Sequence, residues 1–247
     1  MIYKEFGNRD NPTIILLHGE YLSWWSFKDI IDFLVQKYHV VSPVINGHGE
    51  DSETAFHTIQ ECAQDIIKYI DDTYQGKVHA ICGVSLGAQI TIEILSKRSE
   101  IAEYAIVQSI SVVPSAIKTS FIITASKLLY KIFRQKYLAK IISKRLCIRE
   151  EMFSQYYQDS LKISYKSWIN IKRISTEYSL PSMLDKSKAK VLIIVGTEEI
   201  KAMDKSVRLI MKTIPKSYVC IVPEMKRGEL SLINVTEYLT AITNYVN

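Results

Sequence analysis

An α/β fold with a mostly parallel sheet covered by helices is predicted by three observations. Apolar runs of strand length alternate with segments of helical periodicity. The alternation is interrupted once, by a stretch that reads as helical throughout, and one apolar run passes into a helix through Gly83-Val84-Ser85-Leu86-Gly87. Repeated strand-helix alternation implies parallel strands with helices on both faces. At 247 residues and 47% hydrophobic content, the chain is sized for one domain of the larger α/β kind with room for an insertion.

The elements follow in order. Pro12 to Leu17 is a continuous apolar run ending at His18-Gly19, as expected of a buried parallel strand stopped by a turn. Phe27, Ile30, Ile31, Leu34 and Val35 recur at three- and four-residue steps and predict a helix. His39 to Pro43 is a short strand that breaks at the proline and the loop Asn46-Gly47-His48-Gly49. A helix from about Thr58 to Tyr74 places Ile59, Cys62, Ala63, Ile66, Ile67 and Ile70 on one face and stops at Gln75-Gly76. Val78 to Cys82 is a strand, Ala88 to Leu95 a helix, Tyr104 to Ser109 a strand and Ala189 to Val195 another. Lys205 to Ile214 is helical, Tyr218 to Val222 is a strand, and Val235 to Val246 closes the chain as a helix.

Between Pro114 and Pro181 the alternation stops. The predicted organisation is therefore a core of residues 1–113 and 182–247 with a helical cap insertion over 114–181. Within it, residues 121–142 set Ile122, Leu128, Leu129, Ile132, Phe133, Leu138, Ile141 and Ile142 among five basic residues, which fits an amphipathic helix or a pair of them. The positive charge is regional: Ala116 to Ser175 holds 13 Lys/Arg against 3 Asp/Glu, while the whole chain is only +5. A solvated Lys-rich face is the favoured explanation, and contact with an anionic membrane surface the less favoured one. Nucleic acid is disfavoured because no recognition motif accompanies the charge.

Cys62, Cys82, Cys147 and Cys220 are widely spaced, with no CxxC and no histidine at metal-ligand intervals. Neither a metal site, a cofactor nor a disulfide framework is expected, and buried free thiols are the default. The first ten residues lack an apolar segment, and no later stretch reaches about 18 uninterrupted apolar residues. A soluble, cytoplasmic protein is expected. Repeats and low-complexity segments are absent from the sequence.

The strand, Gly-x-Ser-x-Gly and helix in succession are the context of a nucleophile elbow, a sharp turn that presents a serine at the C-terminal edge of a sheet above a helix N-terminus. Here the chain resembles the α/β-hydrolase family of serine esterases and lipases, over nearly its whole length. His18-Gly19 after a strand is similar to that family's oxyanion loop, and Gly47-His48-Gly49 to its G-H-G turn. Val44 departs from the acidic residue often found ahead of that turn. The resemblance implies Ser85 as nucleophile and the backbone N–H groups of Glu20 and Leu86 as an oxyanion hole, where one aimed donor contributes about 3 to 4 kcal/mol. His18 and His48 are read as organisers of their loops, and His79, within a strand, as structural.

The resemblance also implies an acid four residues into a G-x-x-D segment, and Gly196-Thr197-Glu198-Glu199 puts Glu199 there, with Glu198 and Asp204 as competitors. The family's histidine belongs in a segment similar to P-x-x-x-H-G-E-L-S. This chain has Pro223-Glu224-Met225-Lys226-Arg227-Gly228-Glu229-Leu230-Ser231, so Arg227 takes the histidine's place. A guanidinium with a pKa above about 12 cannot take the serine's proton near neutral pH. Losing a triad histidine costs on the order of 10⁶ in rate, with residual catalysis from the oxyanion hole and binding. Glu199 and Arg227 are expected to pair, or Arg227 to turn its donors toward an anionic ligand.

Two functions of different classes remain open. One is a serine hydrolase of a small ester, thioester or amide with an impaired triad. The other is an inactive protein of the same fold that binds a small anionic ligand or a protein partner. Tyr156, Tyr157, Trp168 and Tyr178 in the insertion, and Trp24 and Trp25 beyond the oxyanion loop, are either pocket lining or core. The oligomeric state is open.

Overall fold

The computed structural model describes residues 1–114, 116–226 and 229–246. Seven strands, β1 (Ile2–Phe6), β2 (Thr13–Leu17), β3 (His39–Val44), β4 (Val78–Val84), β5 (Ala102–Gln108), β6 (Lys190–Gly196) and β7 (Ser217–Val222), form one sheet. Their order is β1-β3-β2-β4-β5-β6-β7. All neighbours are parallel except β1 on β3. The registers set Leu17 beside Gly83, Val84 beside Gln108 and Gln108 beside Ile194. The C-terminal ends of β2, β4, β5 and β6 thus finish along one edge, where open parallel sheets hold their ligands.

The helices are α1 (Lys28–Leu34), α2 (Ile59–Tyr74), α3 (Leu86–Lys97), α4 (Ala116–Phe133), α5 (Lys136–Arg145), α6 (Phe153–Lys162), α7 (Tyr165–Glu177), α8 (Ile200–Thr213), α9 (Glu229–Leu232) and α10 (Val235–Val246). Strand alternation divides the core between the two faces of the sheet. Ile15, Leu17, Ile81, Ala105, Val107 and Ile193 pack with α2, α3 and the helices between β5 and β6. Ile14, Leu16, Ala80, Cys82, Ile106 and Ile194 pack with α1 and α10. Helix α2 is stopped as expected, by Gln75 in the left-handed region at φ 55.

Two details differ from expectation, and a third settles an alternative. Strand β1 carries Lys4 and Glu5 within five residues and is mostly half-buried, so it lacks the apolar run that marks the central strands. Tyr3 holds it in place by stacking on Tyr69 at 3.7 Å between ring centroids. Helix α8 begins at Ile200 rather than Lys205, because its buried stripe starts at Met203 and three charged residues there obscure the period. Residues 121–142 take the second of the two expected forms, a pair of helices, with Arg134 and Gln135 between α4 and α5.

Cys62 and Cys82 are buried free thiols, whereas Cys147 and Cys220 are only half-buried. Cys220 lies on the edge strand β7, and Cys147 sits in a turn at φ 59. Among the described residues, no helix is long and apolar enough to cross a membrane.

Candidate active site

Ser85 joins β4 to α3 at φ 54 and ψ −107. A non-glycine residue at positive φ is uncommon and costs about 1 to 3 kcal/mol unless its surroundings enforce it. Here Ser85 N donates to Gln108 O at 2.9 Å, and Gln89 N donates to Ser85 O at 3.1 Å, so the turn is tied to β5 and to α3. A Cβ on Gly87 would lie 2.0 Å from Leu17 O. Only glycine lets α3 come this close to the end of β2, and that approach brings the His18-Gly19-Glu20 loop to the serine. A Cβ on Gly19 would lie 3.8 Å from Ser85 Cβ. Leu86 is the first residue of α3, so its N–H has no acceptor within the helix.

The His18 loop is fixed from below and above. His18 is fully buried, and its Nε2 accepts from Ile45 N at 3.0 Å while Nδ1 lies 2.9 Å from Gly19 O. With Nε2 accepting, Nδ1 carries the proton and donates to Gly19, so the ring is neutral. Burial, with His48 adding to it, pushes the His18 pKa down to about 3. His48 is also fully buried and pushed down to about 4 by burial. From above, Glu20 accepts from Lys172 Nζ and from Ser175 Oγ, both on α7. Tyr21 stacks on Trp168 at 3.9 Å between centroids and donates its hydroxyl to Trp168 O at 3.1 Å.

Glu199 lies at the start of α8, with only 7% of its surface exposed. Its Oε1 accepts from Ser109 Oγ at 2.7 Å and from Gly196 N at 3.2 Å. Its Oε2 is buried with no hydrogen-bond partner among the described residues. Its competitors sit differently: Glu198 is exposed, and Asp204 pairs with Arg208 one turn along α8 at 2.9 Å.

Arg227 lies outside the described residues, but the chain on either side of it is placed. A Cβ on Gly196 would lie 2.0 Å from Met225 O, so the segment before Arg227 crosses directly over the end of β6. Glu198 N donates to Met225 O at 3.2 Å, and Glu224 N donates to Thr197 Oγ1 at 2.9 Å. Beyond Arg227, Ser231 and Leu232 line the same cavity as Ser85. The segment is thus anchored at the Glu199 turn and reaches the serine's cavity.

That cavity, of about 350 Å³, lies between the strand ends and α4, α5 and α7. Its wall includes Glu20, Ser85, Leu129, Phe133, Trp168 and Lys172. None of the five histidines lines it. Of the aromatic residues left open by the sequence, Trp168 lines the cavity. Tyr156 and Tyr178 are buried core. Tyr157 donates its hydroxyl to Arg134 O at 3.0 Å, and Trp25 donates to Asp159 Oδ2 at 2.8 Å. Trp24 packs outside, with its indole N–H on Glu50. His79 Nε2 lies 3.0 Å from Val246 O, far along the sheet from Ser85.

Sequence reasoning missed Ser109, Lys172 and Ser175. Ser109 follows β5 at φ 54, and the other two are polar residues of an amphipathic helix. Nothing in spacing distinguishes any of the three. No group of three or more His, Cys, Asp or Glu among the described residues is arranged to hold a metal.

Comparisons set the chain among known proteins. The family model described as "Serine aminopeptidase, S33" matches residues 9–220. The chain is 28% identical over 101 residues to "Uncharacterized hydrolase YugF" of Bacillus subtilis (strain 168), covering 40% of this chain and 37% of that protein. It is 40% identical over 47 residues to "Uncharacterized hydrolase YNR064C" of Saccharomyces cerevisiae, covering 19% of this chain and 16% of that one. The matched part is well under half the length of either relative.

Among solved structures, the enol-lactonase from Burkholderia xenovorans LB400 has a TM-score of 0.80 at 13% identity, covering 99% of this chain and 95% of that one. A structure from work on carboxylesterases of Nitrososphaera gargenis gives 0.80 at 15% identity, covering 99% and 94%. A thermophilic esterase from Thermogutta terrifontis gives 0.74 at 16%, covering 99% and 92%. At such identities the likeness establishes the fold alone.

Proposed function

Since the chain belongs to the serine aminopeptidase S33 family of α/β-hydrolases, we propose that it is a serine hydrolase of a small ester, thioester or amide, working with an impaired triad. The observation that carries this reading is the Ser85 turn, held at φ 54 and opening into a mostly apolar cavity. In the proposed reaction Ser85 Oγ bonds to the acyl carbon, and the alcohol, thiol or amine leaves with a proton. Water then cleaves the acyl-serine, releasing the acid and restoring the hydroxyl. The N–H groups of Glu20 and Leu86 stabilise the oxyanion formed in each half.

The slow part is proton transfer. Position 227 carries a guanidinium where a base is needed, and none of the histidines reaches the cavity wall. The buried Oε2 of Glu199, unpartnered among the described residues, and the anchoring of Met225 beside it support a Glu199–Arg227 pair in place of an acid–histidine pair. Two parallel charge-assisted bonds suit that pairing. The same substitution favours a second reading, in which the protein has given up turnover and binds an anionic ligand or a protein partner.

Labelling with a fluorophosphonate, read by intact mass, separates the two. The hydrolase reading expects one adduct on the parent, none on Ser85→Ala, and slow turnover of short aryl esters that Ser85→Ala abolishes. Turnover unchanged by Ser85→Ala would overturn it. A clean absence of turnover, together with ligand-dependent thermal stabilisation, would establish the second.

A further inference from the structure

We propose that Arg145 selects the ligand of the Ser85 cavity, favouring a molecule with an apolar body and a carboxylate at one end. The inference rests on the cavity being the ligand site. Most of the wall is hydrocarbon, with Leu129, Phe133, Ile142, Leu146, Ile148 and Leu232 among the residues that form it. Two cations join them, Lys172 and Arg145, against one carboxylate, Glu20. Lys172 is already paired with Glu20, so among the described residues the lining keeps one positive charge, on Arg145.

Three of the nearby basic residues have partners. Lys140 pairs with Glu150, and Arg149 with Asp29 and Glu151. Arg134 donates to Tyr130 Oη at 2.9 Å. Arg145 makes no ion pair or hydrogen bond with the described residues. It is the last residue of α5, where a cation is favoured by the exposed carbonyls. That accounts for a basic residue at this position, not for its place in the wall of an apolar cavity.

A guanidinium presents a planar fork of donors that matches a carboxylate and two of its oxygens. The volume of about 350 Å³ holds on the order of a dozen non-hydrogen atoms, at the roughly 30 Å³ that a water molecule occupies in the liquid. A medium-length acyl chain fits that size. The substrate class is therefore an ester, thioester or amide whose apolar part ends in a carboxylate, with the acyl carbon at Ser85 and the anion on Arg145.

Two assays on the full chain test this. In the first, calorimetry compares octanoate with octanol on the parent, Arg145→Gln and Lys144→Gln. Octanoate is expected to bind about fivefold more tightly to the parent, as suits an exposed ion pair, with the preference shrinking in 0.5 M salt. Arg145→Gln should remove the preference. Lys144→Gln, an exposed neighbour outside the cavity wall, should keep it. In the second, hydrolysis of monoethyl suberate is compared with that of ethyl octanoate, using Arg227→His to raise turnover.

Equal hydrolysis of the two esters, unaffected by Arg145→Gln, would overturn the inference and leave the hydrolase reading standing. Loss of the octanoate preference in Arg145→Gln, with no ester turned over, would uphold the inference and remove the hydrolase reading. A preference for octanoate that survives Arg145→Gln, or no binding of either probe, would overturn the inference.

Discussion

Replacing Arg227 by histidine should restore a base at the one position where the proposed triad lacks it, and the size of the gain follows from how the surroundings are built. A triad histidine contributes on the order of 10⁶ in rate when its partners are in place. Spoiling the acid that orients it costs about 10⁴, so an imidazole held by nothing would recover about a hundredfold. Glu199 is buried, anchored through Oε1 by Ser109 and Gly196 N, and its Oε2 is unpartnered among the described residues. That oxygen can accept an Nδ1–H. Met225, two residues earlier, is fixed against Gly196 and Glu198. The gain is therefore expected above the unheld limit, at about 10³ to 10⁴, which is roughly 4 to 5.5 kcal/mol of barrier. The assay is kcat/KM for short p-nitrophenyl esters, with thermal midpoints to establish that both proteins are folded. Ser85→Ala in the Arg227→His background should erase the gain, and Glu199→Gln should reduce it by a hundredfold or more. A gain below tenfold in a folded variant would refute the argument, because every other part would then be present without consequence.

Three further outcomes are expected. His18 and His48 are held neutral by burial, with pKa values of about 3 and about 4; because these lie below the unfolded value near 6.5, their stability is fully present above that pH and lost as pH falls toward the folded values. Denaturation by urea should lose up to about 1.4 kcal/mol per pH unit for each ring between pH 6.5 and 4, and His48→Gln should flatten that slope by about half. Gly87→Ala pushes a methyl into Leu17 O at 2.0 Å, whereas the nearest atom to a Cβ on Gly19 is 3.6 Å away; the first should cost about 3 kcal/mol or more and the second should fold normally, both read by thermal melting. Lys172→Met severs one of the two ties between α7 and Glu20, and should lower Ser85-dependent turnover of the Arg227→His protein about tenfold with little change in melting temperature.

The sequence and the structure agree most closely where one force dominates. The five central parallel strands are buried on both faces, and their apolar runs leave no competing arrangement, so β2 to β6 are legible to within two residues at each end. Edge strand β1 is recovered only in the structure, because its stability comes from pairing with β3 and from the Tyr3–Tyr69 stack rather than from its own hydrophobicity. The Ser85 turn is legible for a similar reason: two glycines flank the serine because backbones meet there, and few other residue patterns permit such a contact. The cavity's polar wall is not legible. Ser109, Lys172, Ser175 and Arg145 act through contacts between elements far apart in sequence, and nothing local distinguishes a lysine that grips Glu20 from one that faces solvent. Charge counting is therefore incomplete in a specific way. The stretch Ala116 to Ser175 reads as a diffuse basic face, yet Lys140, Arg149, Lys162 and Lys172 each have an acidic partner within 4 Å. What such pairing leaves over is a question of position rather than number, and among the described residues of the cavity wall it leaves one guanidinium, at Arg145, in the same wall as Ser85.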